Sequence, residues 1–69
     1  MAEVFKTNVR QVHHAKKIID VLLQYFPKSK INFDLKDRDK ILRIDGQNIF
    51  SADVINVFKN KGFICEELE

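Results

Sequence analysis

The sequence predicts an α/β sandwich in the order β-α-β-β-α-β, as one domain over residues 1–69. Three observations predict it. Apolar residues between Val9 and Pro27 recur every three or four positions, which is the helical period. Three flanking stretches alternate apolar and polar residues, the period of a half-buried strand. A second helix is punctuated by Ser51 before it and Gly62 after it.

In the first stretch Phe5, Thr7 and Val9 alternate with Lys6 and Asn8, which predicts a strand. Val12, Ala15, Ile18, Ile19, Leu22, Leu23 and Phe26 then share one helical face, with Lys16, Lys17, Asp20 and Gln24 turned to water. Pro27 ends this helix, because it lacks an N–H and pushes Phe26 out of the α region. In KSKINFDLKDRDKILRIDG, Ile31, Phe33 and Leu35 face one way and Asn32, Asp34 and Lys36 the other. Leu42 and Ile44 resume the alternation, so a hairpin with a short loop near Asp37 is expected.

Ser51 is the expected N-cap of the second helix, with Asp53 favouring the dipole of its first turn. Phe50 and Ile55 have the spacing of a hydrophobic staple. Val54, Ile55, Val57 and Phe58 form its buried side. Phe63 to Glu67 reads as the last strand, and the terminal EELE as frayed. The expected core comprises Phe5, Val9, Ile19, Leu22, Leu23, Phe26, Phe33, Leu42, Ile44, Val54, Phe58 and Phe63.

Two helices on one face of a four-stranded antiparallel sheet, with right-handed crossovers, make the ferredoxin-like arrangement, strand order 4-1-3-2. That topology brings three loops to one end. Gln11, His13, His14, Asp37, Asp39 and Lys61 are expected to gather there.

With this order established, the chain resembles the heavy-metal-associated (HMA) domain of copper chaperones and metal-transporting ATPases. FKTNV resembles that family's first strand entering its metal loop, and ILRIDG its third strand and turn. SADVINVFKNKGFICEEL is similar to its second helix, the Gly-aromatic start of the fourth strand, and that strand. The family's Cys-x-x-Cys, however, is replaced by Gln11-Val12-His13-His14. Gln11 stands where the first thiolate belongs and His14 where the second belongs. The resemblance therefore implies the fold, while the soft-ligand chemistry that two thiolates give Cu(I) or Zn(II) does not carry over.

Composition narrows the function classes. The chain is 45% hydrophobic and 32% charged, which excludes a disordered polymer. Its one cysteine, Cys65, excludes an intrachain disulfide. Strand parity places Cys65 in the core. No signal-like or membrane-spanning run is present, because IIDVLL is short and interrupted by Asp20; a cytoplasmic location is expected. No nucleophile–base–orienter set or Gly-rich phosphate loop appears, so no enzyme and no resident cofactor are expected.

Net charge is +2, with ten Lys/Arg against five Asp/Glu in residues 1–43 and two against five thereafter. The basic first part raises nucleic acid as a third possibility. The expected open sheet face (Val4, Lys6, Asn8, Asn32, Asp34, Ile41, Arg43, Ile64, Glu66) carries no aromatic platform and disfavours it. Val4, Ile41 and Ile64 offer a small apolar patch for self-association. The expectation is an HMA-like binding module with a degenerate metal site, acting on a protein partner or as a homodimer. The alternative is metal binding or transfer through His13 and His14. Consecutive helical side chains diverge by about 100°, which works against chelation by these two alone.

Overall fold

A computed structural model describes residues 2–68. Six elements follow in the predicted order: β1 (Ala2–Thr7), α1 (Val12–Tyr25), β2 (Lys30–Asp34), β3 (Ile41–Asp45), α2 (Ser51–Asn60) and β4 (Cys65–Leu68). The strands form one antiparallel sheet, order β2-β3-β1-β4, which is the expected 4-1-3-2 sheet read from its other edge. Phe5 stands opposite Leu42 on β3 and Glu67 on β4, while Phe33 stands opposite Leu42 from the other side. The fold is ferredoxin-like.

The core lies between this sheet and the helices. Phe5, Leu42 and Ile44 from the sheet meet Ala15, Ile18 and Leu22 from α1 and Val54, Val57 and Phe58 from α2; Val9 and Cys65 complete it. Several expectations need correction. On α1, Ala15, Ile18 and Leu22 are buried, Ile19 is half-buried, and Leu23 and Val12 are 37% and 62% exposed. The seven apolar positions span too wide an arc for all of them to face the sheet. Phe26, Phe33 and Phe63 pack against the core without being fully buried.

Helix α2 begins one residue earlier than a Ser51 cap implied. Phe50 occupies the N-cap position, and no side chain caps the helix. The Ser51 hydroxyl serves instead the Glu67 carboxylate of β4, which lies on the same helix-covered face of the sheet. The staple shifts with it: Phe50 and Ile55 are exposed, whereas Ile49 and Val54, now at the staple positions, both pack into the core. The C-terminus closes as expected. Gly62 has φ +84°, and the Phe63 and Gly62 N–H groups donate to the Phe58 and Lys59 carbonyls. This is the Schellman pair that needs a left-handed residue at C′.

At the sequence ends, β1 stops at Thr7, and Val9 is buried from the following loop. β4 starts at Cys65 rather than Phe63. Glu66, Glu67 and Leu68 of the EELE tail are paired with β1 rather than frayed, while Glu69 lies outside the described residues. The β2–β3 connection, residues 35–40, is longer than expected. It is tied down by the Asp34 carboxylate, which accepts from the Lys36 and Asp37 N–H groups, and by Asp37, which accepts from Asp39 N–H at 2.8 Å.

Candidate functional site

The end of β1 is tied to two other loops. Thr7 N–H donates to the Asp39 carbonyl at 3.0 Å, and its hydroxyl donates to the Lys40 carbonyl at 2.7 Å. Asn8 exchanges two bonds with Ile64: its N–H donates to the Ile64 carbonyl, and its Oδ1 accepts from Ile64 N–H at 2.8 Å. These bonds gather the β1–α1, β2–β3 and α2–β4 loops at one end, as the topology required.

Within that end the side chains divide. His14 is half-buried at the start of α1, its ring 5.2 Å from that of Phe63. With Lys17, Ile18 and Lys61 these two rings line a shallow cleft of about 260 Å³. His13 is exposed, yet its ring centroid lies 4.1 Å from that of His14. The expected divergence of the two side chains is therefore overcome. At the first turn no preceding helical turn restricts their rotamers, so the rings can lean together. Gln11 occupies the N-cap position without a side-chain capping bond. Asp37 serves the hairpin turn instead of approaching the histidines. No group of three or more His, Cys, Asp or Glu side chains is placed to hold a metal among the described residues.

A second, larger concavity of about 660 Å³ lies at the opposite end of the sheet, between the end of α1 and the start of α2. Tyr25, Phe26, Pro27 and Phe50 give it apolar walls, with Lys28 and Asp53 at its margin. Tyr25 and Phe50 are each 63% exposed. The sequence reading missed this feature because it assigned Phe50 to a staple. Its signal was two aromatic residues at helix ends, Tyr25 closing α1 and Phe50 opening α2. Beside the start of α2, the Ser51 hydroxyl holds the Glu67 carboxyl below its ordinary range. The hydrogen bond shared with Glu67 raises that of Glu3.

The open sheet face carries the exposed cross-strand pair Lys6–Glu66, with Nζ and Oε2 3.8 Å apart. The strand aromatics Phe5 and Phe33 lie on the helix side, so no ring stands on this face among the described residues. Base stacking of the RNA-recognition kind lacks its platform there.

Cys65 is 7% exposed, and burial, reinforced by the charge of Glu67, pushes its thiol up to about 12 from an ordinary value of 9. Between those values the unfolded chain releases a proton that the folded chain keeps. Stability is therefore full below pH 9 and declines as pH rises through the window. In Cys65→Ala, denaturant unfolding at pH 7 and pH 10 should lack that part of the alkaline decline. Equal slopes in wild type and variant would place the thiol in water. Native Cys65 should likewise resist a thiol reagent that labels it fully in denaturant.

Among the described residues no helix is long and apolar enough to cross a membrane. Neither protein-family models, characterised proteins nor solved structures match the chain, so the ferredoxin-like fold is the level at which it is classified.

Proposed function

We propose that this chain is a non-catalytic, HMA-like association module of the cytoplasm, whose metal loop is degenerate and which acts through contact with protein. One observation carries the reading. Where the resembled family would place two thiolates, the chain has Gln11 and His14, and the His14 ring packs beside Phe63 rather than standing free. Polar side chains of the loops at this end are engaged structurally: Thr7, Asn8 and Asp37 each hydrogen-bond to main chain. They hold the loops together, a binding scaffold's use of such groups rather than an enzyme's.

The second reading, metal binding or transfer through His13 and His14, is favoured by the 4.1 Å approach of their rings. Two imidazoles supply half of a tetrahedral set and would suit Zn(II), Ni(II) or Cu(II) over Cu(I). Calorimetric titration of wild type, His13→Ala and His14→Ala separates the two. Micromolar or weaker binding, unchanged by either substitution, is the expected result. Tight one-to-one Zn(II) binding that disappears in His14→Ala would establish the metal reading instead.

A further inference from the structure

The two edges of the sheet differ in the charges they present. β4 offers Cys65-Glu66-Glu67-Leu68, and an antiparallel pairing with its own copy, centred on either glutamate, sets a carboxylate opposite itself. Like charges directly opposite destabilise a strand pair and protect an edge from association. β2 is the other edge, bonded to β3 alone. Its sequence, Lys30-Ile31-Asn32-Phe33-Asp34, is complementary to itself when run antiparallel about Asn32. Lys30 then stands opposite Asp34 twice, Ile31 opposite Phe33 twice, and Asn32 opposite Asn32.

The faces agree as well. Lys30, Asn32 and Asp34 are exposed on the open side of the sheet, while Ile31 and Phe33 are half-buried toward the helices. A two-fold axis through Asn32, perpendicular to the sheet, preserves both sides and joins two sheets into one of eight strands. The same axis keeps both helix layers on one side of the seam. On α1, Val12, Ile19 and Leu23 fall on one line at i, i+7 and i+11, about 160° around the helix from His14. His14 faces Phe63 at the α2 side, so this apolar line lies on the flank turned away from it.

We propose that the occupant of the β2 edge is a second copy of this chain, in a two-fold dimer paired β2 to β2 and flanked by the Val12–Ile19–Leu23 line of α1. The proposal rests on the reading of the chain as an association module and specifies its partner. Lys30 of one protomer meets Asp34 of its partner at both ends of the seam. Asp34 has one carboxylate oxygen, Oδ1, engaged by the hairpin N–H groups; a lysine approaching the other need not displace them. A five-residue edge and one helix flank are at the small end of specific interfaces, so the dissociation constant should be about 10–100 μM.

Sedimentation equilibrium over a concentration series, in chelator, tests this with Lys30→Asp and Asp34→Lys. Each variant alone places like charges opposite one another twice and should weaken dimerisation about tenfold or more. An equimolar mixture of the two should restore it as a heterodimer, since each protomer then supplies the charge its partner lacks. Circular dichroism of each variant checks that the loss is not unfolding. A wild-type dimer indifferent to both substitutions would overturn the β2 assignment while leaving the association module standing. Open-ended growth would overturn the two-fold geometry, because it signals a head-to-tail contact. A chain monomeric up to about 1 mM would overturn the inference itself. The broader reading fails separately, on tight Zn(II) binding by a monomer.

Discussion

Phe58→Ala should cost about 3–5 kcal/mol, because it removes a fully buried ring whose site can collapse only partly. Phe58 lies on α2 with its ring centroid 6.1 Å from that of Phe33 on the edge strand β2, so it ties the helix to the weaker side of the sheet. Its carbonyl also accepts the Phe63 N–H bond at 2.9 Å that closes α2, so helix end and core meet at this residue. A domain of 69 residues should have roughly 3–10 kcal/mol of total stability. The substitution therefore removes most or all of it. Phe58→Leu, which retains much of the volume, should cost about 1–2 kcal/mol and stay folded for comparison. Urea unfolding of the leucine variant, with the alanine variant followed by circular dichroism, gives both numbers. A cost below about 1 kcal/mol for Phe58→Ala would mean that α2 does not seat this ring on the sheet.

The elements were legible because their periods differ. Alternation in KINFD and ILRID reports a sheet with one wet face, and strand parity alone placed Cys65 inward. Gly62 was legible because a left-handed C′ position has few chemical solutions. Ser51 misled for the converse reason. Its local preference is to cap its own helix, but the Glu67 carboxylate, sixteen residues away, takes its hydroxyl, and a long-range partner leaves no mark in a local pattern. The EELE tail looked too polar for a strand, yet an edge strand needs few apolar residues, and Glu66 finds Lys6 across the ladder. At the candidate site, the resemblance to the HMA loop drew attention to the adjacent His13 and His14. The contact of its ring with His13 and Phe63 depends on rotamers, which spacing does not encode.

Leu22→Ala should cost about 2–5 kcal/mol, while Leu23→Ala, one residue along the same helix, should cost less than about 1. Both leucines share the apolar periodicity of α1, so the sequence pattern treats them alike. Adjacent helical residues point about 100° apart, and the structure decides between them: Leu22 is fully buried beside Ile18 and Ala15, and Leu23 is 37% exposed on the flank. Truncating Leu22 opens a cavity between helix and sheet; truncating Leu23 mostly exposes less apolar surface to water. The two costs must be measured at protein concentrations well below the dissociation constant of the proposed dimer. Association stabilises the folded state by mass action, and Leu23 lies on the proposed seam. At high concentration the deficit of Leu23→Ala relative to wild type should then grow, because the variant gains less from association, whereas the Leu22→Ala deficit should be the same in both. Equal costs for the two leucines in dilute solution would show that α1 is rotated from the position described here.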